Sequence, residues 1–325
     1  MISRAVALAL AVAALLVAAG TSHADDYPSR TVTIIVPYPA GGPTDELARV
    51  LSQYLTNSLK QTFVVENITG GGTIIGTHRV VRAAPDGYTL LLHNLQISAN
   101  VTLYKKLPFD TEKDLAPVIF VNQNPLVLVG RKSLEANSLP ELLALMKTKT
   151  LKAALPGFGA TGHLATALVA QEDKAKVDMI PYRGAAPALQ DIMGEHVDVF
   201  FATPQSVVQQ LKAGNMKAFG ITSKEKSAQL PNVESFVSVL GPKLEIVYWQ
   251  ALFAPAGTPD AIIQKLNAAT RQAMDDPTIN KNWAAEGVSG YPKEQRSVDA
   301  ARAILKSEIA RWGQVIRDNN IQLEQ

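Results

Sequence analysis

Apolar positions along the chain switch between two periods, and each switch marks an element. Val32, Ile34 and Val36 recur at every second residue and predict a strand ending at Pro37-Tyr38-Pro39. Ala40-Gly41-Gly42 follows, and an amphipathic helix is predicted from Thr44-Asp45-Glu46, with Leu47, Val50, Leu51, Tyr54 and Leu55 on one face. Phe63-Val64-Val65 reads as a short buried strand. Gly70-Gly71-Gly72-Thr73 opens a second helix through Val81, and Pro85-Asp86-Gly87 turns the chain into a strand over residues 88–93. Further apolar strands are predicted at 126–129, 151–155, around 179–182 and around 246–253, with a helix at 163–170. Pro255-Ala256-Gly257-Thr258-Pro259 then leads into a largely helical remainder. In its last helix Leu305, Ile309, Trp312 and Ile316 share a face. This alternation predicts an α/β fold with mostly parallel sheets covered by helices. Ile34-Ile35-Val36-Pro37-Tyr38 and Met179-Ile180-Pro181-Tyr182 echo one another, which a shared use of proline to end a strand explains without duplication.

The first glycine turn carries candidate chemistry. A turn of this kind leaves the backbone N–H groups of a helix start unpaired, and the helix N-terminus favours an anion there. The loop has no lysine or arginine and no GK[ST] ending, so a nucleotide-phosphate loop of the usual kind is excluded. A carboxylate fits better. A second turn, Gly157-Phe158-Gly159-Ala160-Thr161-Gly162, follows the 151–155 strand and matches G-x-G-x-x-G, with Asp178 about 20 residues on. Alone it would read as a dinucleotide fingerprint in an NAD(P)-binding oxidoreductase. Asp178, however, precedes its strand instead of ending it, and the same geometry serves a carboxylate.

Composition and the leader narrow the setting. Arg4, an apolar run over 5–19 and Ser22-His23-Ala24 have the layout of a secretory signal peptide (1–24), cleaved after Ala24, which places the protein in the periplasm. The run is shorter than the roughly 20 residues of a membrane span. About 300 mature residues favour two domains. A formal charge of +2 with 18% charged residues leaves no nucleic-acid footprint. With zero Cys among 325 residues there are no disulfides and no thiolate ligands or nucleophiles. The five His show no HxxxH spacing, so neither a metal nor a cofactor is expected. No G-x-S-x-G is present, and an enzyme is not expected.

The two turns point to two α/β lobes with a ligand between them, and here a resemblance becomes specific. VPYPAGGPTDELAR (36–49), VENITGGGTIIGTHRVVRAAPDGYTLLL (65–92), LYKKLPFDTEKDLAPV (103–118), GFGATGHLA (157–165), IPYRGAAPALQDIMGEHVDVFF (180–201) and FAPAGTPDAIIQKLN (253–267) cover nearly the whole mature chain in order. The sequence resembles the solute-binding proteins of tripartite tricarboxylate transporters, the Bug family. The resemblance implies a two-lobed periplasmic binding protein of the Venus-flytrap type: lobe 1 from 25–125 plus 248–325, lobe 2 from 126–247. It implies a small organic acid as ligand, held by backbone amides of loops 38–44 and 158–163. The cleft candidates are more neutral-polar than cationic, which favours a mono- or dicarboxylate over citrate and leaves acidic amino acids and aromatic acids open. The resemblance further implies large and small membrane subunits as partners of a monomer. A periplasmic ligand sensor feeding a signalling partner has the same fold and is the competing reading.

The candidate contacts are Tyr38, Pro39, Ala40, Gly41 and Gly42 in the first loop, with Phe158, Gly159, Ala160, Thr161, Gly162 and His163 in the second; His163 equally suits a capping or packing role, and Tyr38 either walls the cleft or is a buried strand-end residue. Gly184 and Ala185 join them at a third helix start, where Pro187 suits N1. Thr203 follows the 199–201 run at a position where many relatives carry an acid. Thr44 reads as a cap, a contact or both. Asp45 orients a ligand hydroxyl or simply favours the first helical turn. His93 and Asn94, with Gln96, follow a strand's C-terminal end and are candidates for the ligand's distal end. Valine at Gly41 or Gly159 is expected to block the ligand without disturbing a core.

Overall fold

The computed structural model describes residues 27–321. The leader and its cleavage site lie outside them. In chain order the elements are β1 (Val32–Val36), α1 (Pro43–Leu59), β2 (Phe63–Asn67), α2 (Ile74–Val81), β3 (Thr89–Asn94), α3 (Gln96–Leu103), α4 (Thr111–Asp114) and β4 (Leu115–Pro125). The chain then runs through β5 (Val127–Arg131), α5 (Leu139–Thr148), β6 (Leu151–Leu155), α6 (Thr161–Glu172), β7 (Val177–Pro181), α7 (Ala185–Met193), β8 (Val199–Ala202), α8 (Pro204–Lys212), β9 (Met216–Ile221), β10 (Glu234–Ser235) and α9 (Phe236–Leu240). It returns through β11 (Val247–Pro255), α10 (Asp260–Asp275), α11 (Pro277–Ala285), β12 (Ser289–Gly290) and α12 (Val298–Asp318).

Two six-stranded sheets result, ordered β12-β4-β11-β3-β1-β2 and β10-β9-β5-β8-β6-β7. The expected α/β alternation is present, but the sheets are mixed. In the first, β1 is parallel to β2 and β3, whereas β11 runs against both β3 and β4. In the second, β6 is parallel to β7 and β8, whereas β5 runs against β8 and β9. The reason is topological. β5 and β11 are the strands by which the chain enters each sheet from the other, and each enters against its neighbours. The two orders therefore correspond position by position, which makes β6, and not β7, the counterpart of β1. The Pro-Tyr echo links positions that do not correspond, while the two glycine turns do.

α1 starts one residue earlier than its pattern predicts, because Pro43 has no N–H to lose and takes the N1 position. Leu47, Leu51 and Leu55 are buried as expected, but Val50 stands 38% exposed at the edge of that face. The second predicted helix divides: a 3₁₀ turn over Gly71–Thr73 precedes α2. In α12, Leu305, Trp312 and Ile316 are buried and Ile309 is half-buried. Trp249, just past the return crossover, packs on Phe120 with ring centroids 4.6 Å apart and donates its Nε1–H to Glu308 of α12 at 2.7 Å. Among the described residues, no helix is long and apolar enough to cross a membrane.

Gly76 shows how tightly α2 is seated. A Cβ there would lie 2.4 Å from the Ile68 carbonyl oxygen and 2.9 Å from Pro37 Cβ. Backbone cannot give way as a side-chain tip can. Gly76→Ala is therefore expected to destabilise the protein by about 1–3 kcal/mol, read as a melting temperature several degrees lower. An unchanged melting curve would show that the α2–β1 contact is looser than described.

Candidate functional site

A cleft opens where the C-terminal ends of β1 and of β6, β7 and β8 meet, the position at which open α/β sheets bind ligands. Each strand passes through a short loop into a helix: Pro37–Gly42 into α1, Pro156–Ala160 into α6, Tyr182–Gly184 into α7, and Thr203 into α8. Four helix N-termini thus border one cavity. None is capped by a side chain, the N-cap residues being Gly42, Ala160, Gly184 and Thr203. Of the remaining helices, α4, α5, α9, α11 and α12 are capped by Asp110, Ser138, Ser235, Asp276 and Ser297, while α2, α3 and α10 have no side-chain cap. The first backbone N–H groups of a helix have no partner within it. At the cleft Pro43, Pro187 and Pro204 have no N–H to offer and Ser206 N–H bonds the Thr203 carbonyl, but the other first-turn N–H groups remain, with the positive ends of four helix dipoles behind them.

The cavity volume is about 90 Å³, room for roughly three water molecules at their liquid volume. Its apolar wall comes from Leu126, Pro156, Phe200, Phe201 and Ala202. Among the described residues lining it, none is charged. The polar wall is a hydrogen-bonded seam. Thr44 Oγ1 and Tyr248 OH lie 3.1 Å apart, and Asn94 Nδ2 donates to Tyr248 OH at 3.2 Å. Gln250 Nε2, behind them, donates to Thr44 Oγ1 at 3.1 Å. Burial, as the largest cause, pushes the Tyr248 phenol up to about 12 and that of Tyr38 well above its usual value. Both stay neutral donors at physiological pH.

Of the residues singled out in the sequence, Tyr38, Pro39, Ala40, Gly42, Thr44, Asn94, Ala160, Thr161, Gly162, Gly184, Ala185 and Thr203 come together on the cleft wall. Gly41, Asp45, His93, Phe158, Gly159 and His163 do not. Asp45 is turned back onto its own loop, where it accepts from Gly41 N–H, from Arg49 Nε and from Asn67 Nδ2, each at 2.9 Å. Burial opposes its charge, yet the bonds from Arg49, Gly41 and Asn67 outweigh burial and hold the carboxyl below its usual range. It shapes the loop and is not part of the cleft lining. Thr44 is not the cap either, since Gly42 holds that position.

His93 sits one layer behind the cleft, fully buried. Its Nδ1 accepts from Tyr38 OH at 3.1 Å and from Asn94 N–H at 2.9 Å. Nε2–H then donates to Thr73 Oγ1 at 3.0 Å. Desolvation, opposed by a backbone hydrogen bond at Asn94, lowers its pKa to about 3. It is a neutral ring that holds Tyr38 in place. His163 plays the matching part in the other loop. Its Nδ1 accepts from Gly159 N–H at 3.1 Å, Phe158 stands edge-on to the ring at 5.6 Å, and desolvation lowers its pKa to about 4.

Gly159 (φ +78°) packs against α3: a Cβ there would meet Leu103, Asn100 and Gln96 at 3.2–3.3 Å. With positive φ at Gly41 as well, valine at either position strains the loop itself, and the expected clean block does not hold. Gly184 (φ +116°) meets Pro39 across the cleft, at 3.1 Å from an added Cβ. Pro187 lies at the third residue of α7, not the first.

Leu126, Phe200, Phe201 and Tyr248 form much of the wall but went unremarked in the sequence, where strand-end apolar residues look like core. Asp178 lies near the start of β7, paired in register with Lys152 and away from the cleft. Asp178 is therefore not where a dinucleotide fold places its ribose contact.

The model of the tripartite tricarboxylate transporter family receptor, TctC, matches residues 47–321. The chain belongs to this family. The receptor is 35% identical over 305 residues to BugT of Bordetella pertussis, covering 93% of each chain. Its fold matches that of the periplasmic binding protein BugD with a TM-score of 0.87, at 30% identity over 92% of this chain and 100% of that one. It also matches MatC of Rhodopseudomonas palustris with bound malate, at a TM-score of 0.84 and 33% identity, covering 89% and 100%. R. palustris Rpa4515 with adipate gives a TM-score of 0.85 and 28% identity, covering 91% and 99%. The receptor has the two-lobed α/β architecture of periplasmic binding proteins.

Proposed function

We propose that this receptor captures a small organic carboxylate in the periplasm and hands it to the membrane subunits of a tripartite tricarboxylate transporter. The observation that carries the reading is the convergence of four uncapped helix starts on one cleft, with no charged side chain among the described residues that line it. An anion held there needs no lysine. A hydrogen bond to a charged group contributes about 1.5–3 kcal/mol and a helix N-terminus about 0.3–1 kcal/mol. Three or four such bonds, less the cost of ordering two lobes, reach micromolar affinity, roughly −8 kcal/mol.

The α1 and α6 starts take one carboxylate. The starts of α7 and α8 serve a second acid or polar group, and Leu126, Phe200 and Phe201 receive the carbon chain. The neutral-polar wall of the cleft suits a mono- or dicarboxylate of the size of malate or adipate. Similarity to proteins carrying malate and adipate supports that size class. The lobes comprise 25–125 plus 248–325 and 126–247, closing as a monomer on the acid. The leader is removed after Ala24, and no catalysis follows binding.

Thermal-shift measurements with malate, adipate, benzoate, citrate, NAD and NADP test this. An acid at 100 times its Kd should stabilise the mature protein by about 2.7 kcal/mol. Stabilisation by NAD or NADP with no response to any acid would overturn the reading.

A further inference from the structure

The chain crosses between the sheets twice. It leaves the first at Leu126, between β4 and β5, and returns at Ile246, immediately before β11. Both crossings meet one residue, Thr222, which is fully buried just beyond the end of β9. Leu126 N–H donates to Thr222 Oγ1 at 2.8 Å, and Thr222 Oγ1 donates to the Ile246 carbonyl at 2.6 Å. Thr222 N–H donates to the Leu126 carbonyl at 2.9 Å, and Ile246 N–H donates to the Thr222 carbonyl at 3.2 Å. Four hydrogen bonds from one residue therefore tie the outward and return segments together.

We propose that Thr222 is a positioning residue that clasps the two crossovers, setting the cleft floor and the resting angle between the lobes. The inference rests on the carboxylate-binding reading only where affinity is concerned. Leu126, 2% exposed, is part of the cleft wall, and Tyr248 of the polar seam lies two residues beyond Ile246. Whatever fixes these two backbones fixes both wall residues. The hydroxyl accepts from one crossing and donates to the other, which only serine or threonine does in that space. Valine keeps the shape and removes both side-chain bonds, leaving Leu126 N–H and the Ile246 carbonyl unpaired in a buried place. The crossovers can then shear past each other, and the lobes lose a defined resting angle.

The test uses Thr222→Val and Thr222→Ser in the full mature chain. The chain has no cysteine, so spin labels on Gln53→Cys (α1) and Gln209→Cys (α8), both exposed, report the inter-lobe distance without background. Without ligand, Thr222→Val should broaden and shift the distance distribution, while Thr222→Ser should reproduce that of the parent. With malate and adipate as probes, Thr222→Val should weaken whichever binds by about tenfold, and Thr222→Ser should restore it. A lower melting temperature for Thr222→Val with unchanged distances and affinity would make Thr222 an ordinary core residue and overturn the proposal. If neither acid binds the parent, the functional reading loses its support. The ligand-free distances still decide the clasp.

Discussion

Ala160→Asp should make the receptor more stable and nearly unable to bind its acid. Ala160 is the N-cap of α6, with φ −65° and ψ 156°, the extended geometry that capping side chains adopt. An aspartate there accepts from the free N–H groups of the first turn, which is worth about 1 kcal/mol to the helix and raises the melting temperature by about 2 °C. The same N–H groups are then unavailable to the ligand, and a fixed negative charge occupies their place. Loss of one or two charge-assisted bonds weakens binding by about a hundredfold or more. Ala160→Asn separates the two causes. It caps the helix similarly but adds no charge, so it should stabilise as much and weaken binding less. Thermal melts and calorimetric titration with malate or adipate give both signs. Unchanged affinity in Ala160→Asp would remove the α6 start from the site.

The second large effect is acid lability. His93 and His163 are buried neutral, with folded-state values of about 3 and about 4 against 6.5 for a free imidazole. A depressed value means the unfolded chain binds the proton first. The stabilisation is complete above pH 6.5 and is lost as pH falls toward 4, at about 1.4 kcal/mol per unit for each ring. By pH 4 the two together forfeit about 5–6 kcal/mol, much of the roughly 5–15 kcal/mol that holds a typical domain together. The lowered Asp45 carboxyl adds a loss of the same sign at still lower pH. The melting temperature should therefore fall steeply between pH 6 and 4. His163→Asn removes one titration and should flatten the slope by about half below pH 6. A flat profile for the parent would mean that the rings are protonated in the fold.

Much of this was legible from residue pattern alone, for definite reasons. Glycine turns before helices announce themselves, because positive φ and bare helix starts need particular residues, as at Gly42 and Gly184. The antiparallel β5 and β11 did not, since periodicity records which face is buried but not the direction in which a strand enters its sheet. His93 stands one layer behind the place expected of it, while His163 takes the packing role that its position at a helix start leaves equally open. Their position after a strand or at a helix start is compatible with facing the ligand or backing the loop that does. Only packing separates the two, and desolvation of both rings records the outcome. Leu126, Phe200 and Phe201 were invisible for the opposite reason: a cleft wall for a carbon chain uses the same residues as a core.

The sheet orders also govern how the chain can assemble. β3 and β4 follow one another in sequence, yet they are joined only through β11, which enters between them. The second sheet is complete once residue 235 is available, whereas the first keeps an open seam until 247–255 arrives. A chain emerging from its N-terminus can thus close its middle portion first while its opening portion waits as two separate edges. Such edges recruit foreign strands. The last quarter of the polypeptide is in this sense the seal for its opening portion.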